Sequence, residues 1–161
     1  PALALTPTRL PKPKRVKNPR RVAAQQPCFV ATVLGADRVQ LPVMLVSEAN
    51  RAEHWSKGHK RKKAQARVIV PALNSRRSLR PSLPCEIWFD AYLPKLMDGD
   101  NLQRAIKHTR DLVARWLEVD DADPRVSWHF RQHRTDRPRE YGLGIAWREI
   151  NERRAAAGAG A

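Results

Sequence analysis

The sequence contains only two cysteines, and they do not form a recognisable pair. Cys28 and Cys85 lie far apart in apolar surroundings, with no CxxC spacing. This arrangement argues against a zinc site and a disulfide framework, so both are expected to be buried thiols in a reducing, cytoplasmic compartment. The five histidines likewise lack HExxH or zinc-finger spacing, which favours surface or core roles for them.

Long apolar segments are also missing. No run approaches the roughly 20 residues that a membrane helix requires, so the sequence predicts a soluble protein. The chain does not begin with Met, which suggests processing or trimming. Its first residues lack the continuous apolar core that a secretory signal would have.

Acidic residues are scarce relative to basic ones. The chain has 31 Lys and Arg against 16 Asp and Glu, a formal net charge of +15. Such an excess favours a polyanionic partner, because cations that neutralise phosphates release condensed counterions. Nucleic acid is therefore the expected partner, whereas no basic helix has the broad apolar face that a membrane surface would require. The alternative is a basic protein without any polyanionic partner.

The composition along the chain predicts one folded domain with two extensions. A length of 161 residues with 42% hydrophobic residues suits a single modest core. Residues 1–27 contain no acid and many prolines, which predicts a flexible basic arm. Residues 28–150 are expected to form the domain, and residues 151–161, rich in small side chains, a disordered tail.

The hydrophobic pattern within residues 28–150 changes between the strand period and the helix period. Apolar, β-branched runs predict a first hairpin, and two later alternating runs, separated by a polar loop, predict a closing hairpin. The predicted elements are strands 28–34 and 39–46, helix 50–70, loop 74–84, strand 86–93, helix 101–117 and strands 126–129 and 141–150. In the first helix Trp55, Ala66 and Ile69 are expected to face inward. Together these elements predict an α+β domain with a single small mixed β-sheet of about five strands and two main helices.

The first predicted helix has a strongly basic side. Six cations lie there with almost no acid between them: Lys57, Lys60, Arg61, Lys62, Lys63 and Arg67. A run of charge is commonly a solvated helix face. Because these like charges would repel one another, a role in contacting DNA phosphates is an equally good interpretation.

The acidic residues are concentrated around the second predicted helix. Seven of the 16 lie between residues 98 and 123. Asp98 and Asp100 stand immediately before the helix, where a lone pair of this kind is typical of an N-cap. At about 100° per residue, however, Arg104, Lys107 and Asp111 fall within about 40° of Asp100 on one face. Apolar residues occupy the opposite face, and Asp121 adds further acid after the helix.

Clustered carboxylates with neighbouring cations suit metal-assisted phosphodiester hydrolysis. Mg²⁺, or alternatively Mn²⁺, prefers hard carboxylate ligands and activates water for attack on a phosphate. A nearby Lys or Arg can neutralise the charge that develops on the phosphate. The residues therefore predict a metal site at Asp98, Asp100 and Asp121. The alternative is that these acids only form salt bridges with the abundant Arg and Lys.

The motifs in this region resemble those of the RusA Holliday junction resolvases. The similar features are DGDN at residues 98–101, a helix that carries Lys and an Asp-Leu pair, and VDDAD at residues 119–123. Upstream, Ser47, Asn50 and Trp55 in LPVMLVSEANRAEHW are similar to a Pro-x-Ser-x-Asn segment followed by a Trp. The resemblance covers roughly residues 41–150.

The resemblance implies a homodimeric, Mg²⁺-dependent endonuclease that cuts branched, four-way DNA junctions. The three essential aspartates of the family would correspond to Asp98, Asp100 and Asp121. Arg104 stands at the usual position of the essential lysine, whereas Lys107 lies one turn later on the same face. Because Arg and Lys are not interchangeable at a tight site, Lys107 is the preferred candidate for the active cation and Arg104 is the alternative. A bacterial or phage origin is also implied. The alternative is a non-catalytic, basic nucleic-acid-binding protein, such as an inactive member of the same family.

Overall fold

The computed structural model describes residues 26–27, 32–33, 37–46, 55–137 and 140–150. The predicted arm up to residue 25, the predicted tail, Cys28, Ser47 and Asn50 lie outside these ranges. Gln26 and Pro27, at the end of the predicted arm, form a short strand.

The described chain forms six strands and two long helices. The strands are β1 (Gln26–Pro27), β2 (Thr32–Val33), β3 (Arg38–Leu41), β4 (Cys85–Leu93), β5 (Val126–Arg134) and β6 (Glu140–Glu149). The helices are α1 (Trp55–Asn74) and α2 (Gly99–Leu117), and a short 3-10 helix spans Arg77–Leu79.

The strands form one mixed sheet in the order β2-β3-β6-β4-β5, and β1 pairs with β6. Strands β4 and β5 are parallel, as are β1 and β6, whereas the other pairs are antiparallel. The predicted α+β class with a mixed sheet and two main helices is confirmed. About five strands were expected, and the described sheet has four longer strands and two of two residues each.

The predicted closing hairpin is wrong. Strands β5 and β6 are consecutive in the chain, but β4 lies between them in the sheet. The reason is helix α2, which connects β4 to a parallel neighbour, as crossover connections of this length do. Strand β6 then pairs antiparallel with the other side of β4. The first hairpin is confirmed where it is described, because Thr32 and Val33 pair with Gln40 and Val39.

Both helices pack on one face of the sheet. On β4 the odd-numbered residues from Cys85 to Leu93 are buried in the core. They share that core with Ile69 and Leu73 of α1 and with the apolar side of α2, including Ile106 and Val113. The even-numbered residues of β4 therefore lie on the opposite face, because successive side chains of a strand alternate.

Helix α1 continues further than predicted at its C-terminal end, and one of its predicted inward residues is exposed. It continues to Asn74 with Pro71 inside it, and its buried side chains are Gln65, Ile69 and Leu73. Trp55, predicted to face inward, is 76% exposed. Trp55 is the first residue of α1, ten positions and about 15 Å along the axis before Gln65, so the buried stripe ends before this turn although the helical period puts Trp55 on the same side as Leu73. Neither described helix combines the length and the apolar character needed to cross a membrane.

Candidate functional site

Asp98 and Asp100 lie where the chain leaves β4 and enters α2. Asp98 occupies the N-cap position, and its backbone carbonyl accepts the first helical hydrogen bond from Leu102 N–H at 2.9 Å. Its side chain, however, makes no capping hydrogen bond. Asp100 follows in the first turn, and both aspartates are exposed. Because capping does not engage the Asp98 carboxylate, the local structure leaves it available to a ligand.

A cation-lined cleft of about 290 Å³ lies between parts of α1 and α2. Helix α1 contributes Arg61, Lys62 and Gln65, and α2 contributes Arg104, Lys107, His108 and Asp111. Two groups that the sequence suggested separately, the basic side of α1 and the cations of α2, thus meet in one place. The remaining cations of the α1 group, Lys57, Lys60, Lys63 and Arg67, are exposed and do not line the cleft.

Two side chains fix the cleft walls, and sequence reasoning missed both. His108 Nε2 lies 3.1 Å from the backbone carbonyl oxygen of Lys62, so its ring N–H joins α2 to the middle of α1. Gln65 Nε2 donates to the carbonyl of Met44 at 3.0 Å and so ties α1 to the segment after β3. These contacts set the separation of the cations that face each other across the cleft.

Asp121 lies in the turn between α2 and β5, where neighbouring residues hold both its backbone and its side chain. Trp128 Nε1 donates to its backbone carbonyl at 3.1 Å, and Arg110 donates to its carboxylate at 2.5 Å. The Arg110 hydrogen bond, together with the positive charges of Arg110 and Lys107, lowers the pKa of Asp121. Neither Arg110 nor Trp128 was singled out from the sequence, because only the folded turn brings them to Asp121.

The structure does not bring Asp121 next to Asp98 and Asp100 within one chain. Arg110, which binds Asp121, lies ten residues after Asp100, about 15 Å further along the helix axis. Among the described residues, which include all three aspartates, no group of three or more acidic, His or Cys side chains is close enough to hold a metal ion.

The donor chemistry at the start of α2 nevertheless fits a divalent cation. Two exposed carboxylates close in sequence match the one or two carboxylates, completed by water and substrate phosphate, with which proteins commonly hold Mg²⁺. In the described part of the chain neither Asp98 nor Asp100 forms an ion pair.

Two other acids of the cluster, Glu118 and Asp123, follow the salt-bridge alternative. Glu118 ends α2 in a left-handed conformation (φ 62°) and pairs with Arg80 and Arg77. Asp123 pairs with Arg125, whose hydrogen bonds lower the pKa of Asp123 to about 2. Among the described residues, Glu118, Asp121 and Asp123 at and after the end of α2 have ion-pair partners, whereas Asp98 and Asp100 at its start have none.

Comparison with known proteins adds no relative. The sequence matches no family model and no curated protein. The similarity to the RusA resolvases consequently depends on the motifs described above.

Proposed function

We propose that this chain is a metal-dependent endonuclease of RusA-like type that cuts four-way DNA junctions. The main supporting observation is the placement of two exposed carboxylates, without ion-pair partners among the described residues, at the start of a helix whose charged face continues into the cation-lined cleft. Carboxylates and cations side by side suit a reaction at a phosphodiester, which needs both a metal ligand and compensation of negative charge.

Each group of residues has a distinct role in this proposal. A Mg²⁺ or Mn²⁺ ion held by Asp98 and Asp100 would supply Lewis acidity and an activated water. Lys107 and Arg104 lie on the same helix face and neutralise charge on the phosphate or the leaving oxygen. Arg61 and Lys62 oppose them across the cleft and hold the DNA backbone, together with the exposed Lys57, Lys60, Lys63 and Arg67.

A homodimer would complete the site. Within one chain the Asp121 carboxylate bonds to Arg110, which follows Asp100 by ten residues, about 15 Å of helix axis. If two copies pair with their α2 helices antiparallel around a two-fold axis, Asp121 of each copy approaches Asp98 and Asp100 of the other. Two-fold pairing is the commonest form of homo-oligomer and would also give the two equivalent sites that symmetric cleavage of a junction needs.

The test is cleavage of a synthetic four-way junction by the wild-type protein with Mg²⁺ or Mn²⁺. The Asp100→Asn variant should bind the junction but cut it at least about 100-fold more slowly, because it loses a metal-ligand carboxylate. Calorimetric titration with Mn²⁺ should show binding to the wild type and weakened binding to the variant. Asp136→Asn, an exposed aspartate in the β5–β6 connection, is the matched control and should behave as the wild type.

A second candidate is a nucleic-acid-binding protein without catalytic activity. The Arg110–Asp121 pair favours it, because it engages one of the three expected ligands in a salt bridge. This alternative predicts salt-sensitive DNA binding that is unaffected by a chelator. It would replace the enzyme proposal if the wild type binds junctions but cuts them with neither metal.

A further inference from the structure

The face of the sheet opposite the helices carries a polar and aromatic surface that none of the roles above uses. On β4 it consists of Glu86, Trp88, Asp90 and Tyr92. Their neighbours on β5, in register, are Ser127, His129, Arg131 and His133. Within the described sheet β5 has no second neighbour, so this surface extends to an edge of the sheet.

A buried carboxylate organises the cations of this face. Asp90 is 1% exposed and accepts hydrogen bonds from Arg131 (2.7 and 3.0 Å), Arg38 (2.8 Å) and His133 (3.0 Å). One negative charge is thus shared by two permanent positive charges and an imidazole. The Arg131 side chain remains 51% exposed, so part of its guanidinium is left to contact solvent or a ligand.

Two imidazoles on β5 stack against aromatic rings of the neighbouring strand β4. The His129 ring lies 5.0 Å from the Trp88 ring at 14°, and the His133 ring lies 4.8 Å from the Tyr92 ring at 21°. In each pair the second face of the imidazole points away from β4, towards the sheet edge. The two histidine side chains are 40% and 43% exposed, so part of each ring is open to solvent, although His129 Nε2 is buried 3.5 Å from Glu86 Oε1.

On this face of β5, therefore, a cation lies between two stacking rings. His129, Arg131 and His133 follow one another at every second position, so a stacking group, a cation and a second stacking group are spaced about 6.6 Å apart. Aromatic side chains that stack on bases, combined with cations that contact the backbone, are the usual means of binding single-stranded nucleic acid. Duplex bases are stacked on one another and do not offer their faces in this way.

We propose that a single-stranded nucleic-acid segment binds along the outer face of β5, with unpaired bases stacked on His129 and His133 and a phosphate on Arg131. This proposal and the proposed function both take nucleic acid as the ligand, but this one does not depend on cleavage. The surface lies on the opposite side of the sheet from the α1–α2 cleft, so it is a second site. At the branch point of a DNA junction, this surface would hold an unpaired strand.

Binding of a fluorescent oligothymidylate of about 12 nucleotides, measured by anisotropy in the presence of EDTA, tests this proposal. The His129→Ala/His133→Ala variant should bind about tenfold more weakly, whereas His59→Ala, which removes an exposed histidine of α1, should bind as the wild type. An unlabelled duplex of the same length should compete poorly. Equal binding by the double variant and the wild type, or equal competition by the duplex, would overturn the proposal.

Photocrosslinking of the wild type provides a second readout that does not depend on the stability of any variant. A bromouracil-substituted oligothymidylate should crosslink within residues 126–134, and crosslinks confined to α1 and α2 would contradict the proposal. Junction cleavage is measured separately. Cleavage without β5 crosslinks would reject this site alone, whereas β5 crosslinks without cleavage would reject the endonuclease alone.

Discussion

At the residue scale, the buried carboxylate of Asp90 connects three strands of the sheet. Burial opposes ionisation of this carboxyl, but the hydrogen bonds from His133, Arg131 and Arg38 outweigh it, and the pKa of Asp90 is lowered. These partners come from residues 38, 131 and 133, so the single carboxylate joins strands β3, β4 and β5. The sequence indicated only that residue 90 belongs to a strand, because its partners are 41 to 52 positions away.

A change of Asp90 to Asn should therefore destabilise the protein in a pH-dependent way. A carboxyl with a lowered folded-state pKa stabilises the fold above its unfolded pKa, and this contribution is lost as the pH falls through the folded value. We expect Asp90→Asn to lose about 1–3 kcal/mol of unfolding free energy at pH 7, since a neutral amide replaces the buried carboxylate that accepts charge-assisted hydrogen bonds from the partly exposed Arg38 and Arg131. Urea denaturation should show the difference from the wild type shrinking as the pH drops from about 4 towards 2. A difference that stays constant over this range would contradict the assignment.

At the scale of the elements, the side chain that crosses β6 limits which residues β6 can have at that point. Arg38 on β3 reaches Asp90 on β4, and β6 lies between them. At the crossing β6 has Gly144, where an added Cβ would lie 3.2 Å from the Asp90 Cβ and 3.7 Å from its Oδ2. A larger side chain at this position would collide with the carboxylate and obstruct Arg38.

Gly144→Val is therefore expected to lower the free energy of unfolding by about 1–3 kcal/mol, the usual cost of overpacking. Gly99→Ala is the matched control, because nothing lies within 4 Å of an added Cβ at the start of α2. It should leave stability unchanged or raise it slightly, since Ala is the better helix former. Thermal or urea denaturation measures both, and a Gly144→Val variant as stable as Gly99→Ala would show that the crossing is not tightly packed.

The same elements show which features the sequence could predict. Alternation and helical amphipathicity depend on local burial, so β4 and α2 were predicted to within two residues of their observed bounds. Alternation states which face of a strand is buried but not which strand lies beside it. The short β5–β6 connection therefore suggested a hairpin, whereas the α2 crossover leaves β4 between the two strands.

The site was predictable to a similar degree. The helical period placed Arg104, Lys107 and Asp111 on one face, and all three line the cleft. The opposing wall from α1, the His108 contact and the Arg110–Asp121 pair depend on how the two helices and the following turn pack. No spacing along the sequence encodes these tertiary contacts.

At the scale of the whole molecule, the domain has two surfaces suited to nucleic acid, one on each side of the sheet. The α1–α2 cleft is lined by cations of both helices, and α2 begins at Asp98 and Asp100, so we propose this side for the phosphodiester. The β5 face combines a cation with stacking rings and suits unpaired bases. Because Asp121 bonds to Arg110, ten residues after Asp100 on α2, we propose that the pairing of two copies completes the cleavage site.

Junction cleavage by mixed variants tests this central claim most directly. Asp100→Asn and Asp121→Asn should each be inactive alone. After mixing, half of the dimers carry one variant chain of each kind, and each such dimer has one site with all three carboxylates. The mixture should therefore nick the four-way junction at about a quarter of the wild-type rate with Mg²⁺ or Mn²⁺. A mixture as inactive as its components, beside an active wild type, would contradict a site shared between two chains.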